Sequence, residues 1–326
     1  MPKLLGMGNA LVDIMTRLDK DDYLGHFGLP KGSMTLVDAA RSRTVYDGTG
    51  HLHRTIRSGG SAANTIHGTA RLGVESAFIG KIGRDQLGEV FVNDLIESNI
   101  KPHLLFSDTE SGRAIALVSP DTERTFATYL GAAVELSDID MEEHLFEGFQ
   151  YFHIEGYLVQ NQKLLIKSLD IAKKRGMKIS LDMASYNVVE ANKDFLQHIV
   201  KEYIDIVFAN EEEAKAYTGR EPDEAVEIIG KTCDVAIVKV GRLGSFITQG
   251  RKTHQVGIIK ADSIDTTGAG DLYASGFLYG MIHQKPVDTC GRIGAILAGK
   301  VIEVMGPKIA DEIWEEVKGL VAAEMA

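Results

Sequence analysis

The stretch Asp265-Thr266-Thr267-Gly268-Ala269-Gly270-Asp271, running straight into LYASGFLYGM, decides how this chain is read. Two glycines and an alanine end an extended segment, and a helix-like sequence starts at once. Backbone N–H groups at a helix start have no partners within the helix. With the positive end of the helix dipole they form an anion site. Asp271 in that first turn would repel a bound phosphate unless its task is to accept a proton from a hydroxyl. Phosphoryl transfer to an alcohol needs both parts: Gly268, Ala269 and Gly270 hold charge on the transferring group while Asp271 acts as base. The same residues also read as a plain glycine turn followed by an ordinary acidic first turn, which the dipole favours.

Working upstream, the segment from about residue 149 alternates strands with helices. Strands are expected at 149–154, 177–182, 204–209, 234–240 and 245–248, with strand again over 253–264. Helices are expected at 161–174, 190–201, 211–218 and 222–231, then at 270–283, 287–305 and near 310–324. Such alternation predicts an α/β fold whose central, mostly parallel sheet is flanked by helices. Further upstream, Gly59-Gly60-Ser61-Ala62-Ala63-Asn64 opens a helix that ends near Gly73, and the paired glycines let backbone approach a ligand. A tight helix-packing turn is the other reading. Val74–Gly83 reads as a strand and Asp85–Glu97 as an amphipathic helix.

Two segments, about 14–57 and 102–131, are β-rich and interrupt this pattern; Ser119-Pro120-Asp121 marks a hairpin turn in the second. They are expected to pair into a small discontinuous sheet over the main sheet as a lid, so that residues 1–326 form one domain. At the N-terminus, Gly6 and Gly8 make a GxG without the third glycine of a dinucleotide fingerprint, since residue 11 is Leu. Asn9 and Asp13 interrupt an apolar run; they serve either as cap and turn residues or as groups that grip a polyhydroxylated ligand.

Among 326 residues, 44% are hydrophobic and 25% charged, the balance of a globular protein with a sizeable core. The formal net charge of −11 gives no global attraction to nucleic acid or an anionic membrane. Cys233 and Cys290 form no metal or redox motif, which suits a reducing, cytoplasmic setting. The ten histidines lack metal-ligand spacing. MPKLLGMGNALVDIM reads as a first strand rather than a leader, and no run approaches the length of a membrane span.

Four motifs together resemble the ribokinase-like (PfkB) family of small-molecule kinases. Gly59–Asn64 is similar to its N-terminal signature and Asp265–Asp271 to its C-terminal one. Asn210-Glu211-Glu212-Glu213 resembles its NxxE motif, and Lys239-Val240-Gly241-Arg242-Leu243-Gly244 the strand-turn that borders its ATP site. The resemblance covers essentially the whole chain. Within the family, Gly6–Ile14 and Arg124–Ala133 look most like the adenosine kinase branch; Ser61-Ala62-Ala63 and Leu181–Val189 depart from it, leaving the base open.

The resemblance implies an ATP-dependent kinase acting on the 5′-hydroxyl of adenosine or a similar nucleoside. A ribose- or fructose-type sugar kinase and a non-catalytic nucleoside sensor are the alternatives. Asn9, Asp13, Gly59, Gly60 and Asn64 would hold substrate hydroxyls, and Arg124 would come down with the lid on the reaction centre. Asn210, Lys239, Gly241, Gly244 and Thr266 would border ATP. Glu213 would position Mg²⁺ through its waters, and a monovalent cation near Asp265 follows by likeness to ribokinase. The expected partner is a small molecule only, with the protein a monomer or a homodimer joined through the lid.

Overall fold

The structure, a computed structural model, describes residues 1–121 and 123–326. The first strand, β1 (Leu4–Met7), is apolar and buried throughout, whereas β2 (Leu11–Arg17) alternates buried and part-exposed residues. That change of pattern is a change of sheet: β1 lies in a sheet covered on both faces, β2 in one with a single packed face. β3 (Met34–Leu36) and β4 (Arg54–Gly59) stay with β2, while β5 (Ser76–Gly83) and β6 (Ile100–Ser107) return to the first sheet. β7 (Gly112–Val118) and β8 (Arg124–Tyr129) rejoin the second. The remaining strands, β9 (Tyr151–Glu155), β10 (Lys178–Asp182), β11 (Ile206–Asn210), β12 (Val235–Lys239), β13 (Ser245–Gln249) and β14 (Lys252–Val256), all belong to the first.

The large sheet has nine strands in the order β14-β13-β12-β11-β10-β9-β1-β5-β6. It is parallel from β6 to β12, with β13 and β14 antiparallel at one edge. One apolar core, including Leu5, Met7, Phe152 and Leu181, fills one face. A second, including Leu4, Phe78, Phe208 and Phe277, fills the other, beneath the helices Ser61–Arg71 and Ala269–Ile282. The fold is α/β with a mostly parallel sheet flanked by helices. Among the described residues no helix is long and apolar enough to cross a membrane.

The small sheet runs β3-β8-β7-β2-β4. Val12, Ile14, Ile115, Leu117 and Ala127 on one face pack with Leu24, Phe27 and Val45 from the helices Asp22–Phe27 and Ala39–Gly48. The opposite face carries Asp13, Met15 and Phe126, each part-exposed, around the buried Ala114 and Ala116.

Several boundaries differ from the sequence reading, each for a physical reason. Residues 100–107 do not belong with the lid segment expected over 102–131: β6 pairs in parallel with β5 along the large sheet's edge. An edge strand is half-exposed, so its alternation looks like that of a lid strand. The helix expected at 190–201 is two helices, Tyr186–Ala191 and Lys193–Tyr203, divided at Asn192. The strand expected over 253–264 ends at Val256. The helix expected over 287–305 ends at Val301, because the Ile302 carbonyl is taken by the N–H groups of Ile264 (2.7 Å) and Asp265 (3.1 Å). That contact turns the chain back toward Asp265.

Candidate active site

Glu155, Asp182, Asn210 and Lys239 are the last residues of four adjacent parallel strands, with Asp182 in register with Glu155 and Lys239 with Asn210. In open α/β sheets ligands bind outside the carboxyl ends of the strands, and here that edge is charged. Asp271 stands beside it in the first turn of Ala269–Ile282. Its carboxylate accepts a hydrogen bond from Ser61 Oγ (2.7 Å) and another from Asn64 Nδ2 (3.0 Å). Both donors come from the start of Ser61–Arg71, so the two glycine-rich motifs, more than 200 residues apart, meet at one carboxylate.

Asp271 remains partly accessible, yet the surrounding protein mass pushes it up to about 6. The Asn64 and Ser61 bonds restrain that rise, nearby Asp182 adds to it, and Lys239 opposes it. A carboxylate near that value is ionised at neutral pH yet more basic than an exposed aspartate, as a general base requires.

Gly268 caps the helix at φ 76°, with Pro307 so close that a Cβ on Gly268 would lie 2.7 Å from its Cα. The Ala269 N–H donates to the Thr266 carbonyl (3.2 Å) and so is not free for a ligand, contrary to the sequence reading. The N–H groups of Gly268, Gly270 and Asp271 have no protein acceptor among the described residues. These three are the unpaired donors at the helix start. Gly270 lies against Lys239: a Cβ there would be 3.0 Å from Nζ.

Lys239 is no ordinary strand-end cation. Its Nζ donates to Asp182 Oδ2 (2.8 Å) in a largely buried pair. Burial alone would lower Lys239, but Asp182 and Glu213 outweigh it and hold the ammonium above its ordinary value. Glu213 is buried and pushed up to about 7 by that burial and by Asp182, against the pull of Lys239. It is thus not a solvated member of the three-glutamate run. Asn210 and Glu213 cap each other: Glu213 N–H donates to Asn210 Oδ1 (2.9 Å), and Asn210 N–H and Nδ2 donate to the two Glu213 oxygens (2.8 Å each).

On the substrate side, the Asn9 side chain does not reach out freely. Its N–H and Nδ2 both donate to Glu155 Oε1, at 2.9 and 2.7 Å, while Ala62 N–H donates to Oε2 (3.0 Å). Glu155 therefore ties the β1–β2 crossing to the helix that presents Ser61 and Asn64. Burial pushes it up to about 7, against those three hydrogen bonds. Gly60 has φ 96°, and a Cβ there would run into the Asn9 carbonyl. Gly60→Ala is expected to cost about 1–3 kcal/mol in backbone strain alone, read as a lower Tm together with a raised KM for the phosphoryl acceptor; unchanged values of both would show that the crossing is pliable.

Asp13 faces the site from β2, and Arg124 on β8 forms an ion pair with Asp265, whose oxygens also accept the N–H groups of Thr267 (2.7 Å) and Gly306 (2.8 Å). Gly241 and Gly244 flank the turn between β12 and β13, and Thr266 is exposed beside Asp265; none of the three bonds to the Asp271 cluster. Ser61 lies inside the quoted glycine motif without a role assigned to it there, and Glu155 and Asp182 belong to none of the four motifs. For the two acids the available signal is an acidic residue closing an apolar strand, YFHIE and KISLD.

The pfkB family carbohydrate kinase model matches residues 37–314. A probable sugar kinase from Rhizobium etli superposes with a TM-score of 0.88 at 33% identity, covering 98% of this chain and 99% of its own. The adenosine kinase of Sinorhizobium meliloti does so at 0.86 and 32%, covering 99% and 98%. The adenosine kinase of Saccharomyces cerevisiae is 26% identical over 333 residues, 95% of this chain and 97% of that one. With its two glycine-rich signatures joined at Asp271, this chain belongs to the pfkB family of carbohydrate kinases.

Proposed function

We propose that this protein transfers the γ-phosphoryl group of ATP to the 5′-hydroxyl of a nucleoside, adenosine or a close relative, in the cytoplasm. The observation that carries the reaction is Asp271: a basic carboxylate held by Ser61 and Asn64 next to free N–H groups at a helix start. Asp271 takes the proton of the attacking hydroxyl, and the N–H groups of Gly268, Gly270 and Asp271 hold charge on the transferring group. Such preorganised donors are worth about 3–4 kcal/mol of barrier each. Asp13, Gly59, Gly60 and Asn9, aligned by Glu155, hold the ribose hydroxyls.

The small sheet acts as the lid, with Arg124 holding it to the transfer loop through Asp265 and excluding water, which competes as acceptor. Because Arg124 already meets the Asp265 carboxylate, it supplies there the positive charge that likeness to ribokinase gives to a monovalent cation. Lys239 and the turn at Gly241–Gly244, with Asn210 and Thr266, border ATP. Among the described residues no group of three or more His, Cys, Asp or Glu is placed to hold a metal. Mg²⁺ keeps its waters and arrives with the phosphates; Glu213, its carboxylate fixed by Asn210, would receive those waters. Mg²⁺ when bound neutralises charge on the phosphates.

A nucleoside is favoured over a free sugar by the apolar row on the Asp13 face of the small sheet. Beside Asp13 it carries Met15, then Phe126 and, in register with Phe126, Met34; Leu36 extends the row. Met34 and Leu36 are exposed large apolar side chains, 54% and 60%, that a purine would cover. Likeness to the Sinorhizobium meliloti adenosine kinase supports the same reading. Mg·ATP turnover with adenosine, inosine, guanosine, ribose and fructose tests it. Adenosine is expected to give the highest kcat/KM, and Phe126→Ala to raise the KM for adenosine about tenfold or more. Turnover of a free sugar alone would keep the chemistry and discard the nucleoside, and nucleoside binding without turnover would make the protein a sensor.

A further inference from the structure

Lysine is seldom buried, yet Lys308 is 7% exposed, in a loop of the chain that carries none of the kinase motifs. Its Nζ donates to Ser58 Oγ (2.7 Å) and pairs with Asp94, which in turn accepts the Ser58 N–H (2.8 Å). Ser58 is the penultimate residue of β4, and the next residue, Gly59, lies against the Asp13 carboxyl so closely that a Cβ there would overlap it. Lys308 also ends a three-residue strap. Gly306 donates its N–H to Asp265, Pro307 packs on Gly268, and Lys308 reaches the root of the small sheet. The strap thus touches the transfer loop at two places and the hydroxyl-binding side at a third.

We propose that Lys308 is a positioning residue for substrate recognition: it fixes Ser58 and Gly59 against Asp13 and supplies the positive charge that keeps the Asp13 carboxylate an acceptor for substrate hydroxyls. This rests on the reading that Asp13 grips those hydroxyls. An ionised carboxylate accepts on both oxygens, whereas a protonated one loses an acceptor and becomes a donor.

The charges around Asp13 are few. Burial pushes it up to about 7, Lys308 opposes that rise most, and Asp271 adds to it. Arg57 stands directly across from it on β4. Behind Lys308 lie Asp94, on the helix Gln86–Glu97, and His67, on Ser61–Arg71. Burial raises Asp94, but Lys308 and Ser58 together outweigh it and hold the carboxylate below its ordinary value. His67 is driven down to about 3 by burial and then by Lys308, so it stays neutral across the working range and does not titrate in competition with Asp13. Asp271, in contrast, is set by Asn64, Ser61, Asp182 and Lys239 beyond its own burial. Lys308 is not among the groups that set Asp271, so its removal acts first on Asp13.

The test is KM and kcat for the phosphoryl acceptor from pH 5.5 to 9 in the wild type, Lys308→Met, Lys308→Arg and Asp13→Asn. In the wild type, KM is expected to fall as pH rises through about 7 and then level. In Lys308→Met that course moves up by about one pH unit, so KM at pH 7 rises about fivefold and approaches a roughly tenfold rise toward pH 5.5, while the acid limb of kcat stays in place. Lys308→Arg keeps the wild-type course. If Lys308→Met does not fold, because Asp94 is left buried without its cation, Lys308→Met/Asp94→Asn removes both charges and is expected to show a shift in the same direction. A KM raised by one factor at every pH, or a Lys308→Arg course displaced as far as Lys308→Met, would overturn the proposal. An Asp13→Asn variant with wild-type KM would overturn the reading of Asp13 itself, whereas a raised KM there beside an unshifted Lys308→Met course would defeat the Lys308 proposal alone.

Discussion

Asp271→Asn is expected to lower kcat by about 10²–10⁴-fold, the contribution of a positioned general base, with little loss of stability or of nucleoside affinity. An asparagine has the same shape and can still accept from Ser61 Oγ or Asn64 Nδ2 through its amide oxygen, so the helix start that carries the free N–H groups stays in place. What disappears is the group that takes the hydroxyl proton. The wild-type pH profile reports the same atom. The base must be unprotonated, and burial has raised it to about 6, so kcat is expected to be level above that value and to fall as pH drops through it. The acid limb should be absent from the residual activity of Asp271→Asn. Saturation kinetics alongside calorimetric binding of the nucleoside separate the two effects. Retention of more than a tenth of kcat, or an unchanged acid limb in the variant, would remove Asp271 from the role of base.

Lys239→Met is expected to give the largest loss of stability of any single change at this edge, about 3–5 kcal/mol, the cost of stripping one partner from a buried ion pair. Its Nζ is bound to Asp182, and Glu213 and Asp271 both feel its charge. Methionine fills similar volume, so the loss is electrostatic rather than a cavity. The sign with pH follows from Glu213, which burial already places at about 7 against an ordinary 4.5. A group whose folded value stands above its unfolded one favours folding at low pH, and that contribution is lost as pH rises between the two values. Without Lys239 the folded value climbs further and the window widens upward. The deficit of Lys239→Met against wild type should therefore be smaller in denaturant unfolding at pH 5 than at pH 8. An equal deficit at both would assign the loss to packing.

Much of this was legible in the residues themselves. The parallel α/β core could be read because strands covered on both faces must be apolar along their length, as in IVFAN and VAIVK. The helix start at Ala269 with its acid could be read because glycine at a left-handed cap and an acid in the first turn are local requirements of the backbone. Other features lay beyond local reading. Residues 100–107 alternate like a strand of the small sheet, and only the pairing with β5 assigns them to the large one. Nothing local sets Glu213 apart from Glu211 and Glu212; only its burial beside Asp182 and Lys239, at the ends of β10 and β12, does so.

The sequence by itself determined the α/β layering, the alternation of strands and helices along the chain, and an acid in the first turn of a glycine-capped helix. These follow from periodicity, capping and backbone geometry, all of which act over a few residues. Only the tertiary structure decided which carboxylate each donor serves, as Ser61 and Asn64 serve Asp271, Asn9 serves Glu155 and Lys308 serves Asp94. Those pairings join residues about 150 to 210 apart in the chain. They are set by which strand ends the sheet brings to one edge, and by the low dielectric there that makes each charge depend on its neighbours.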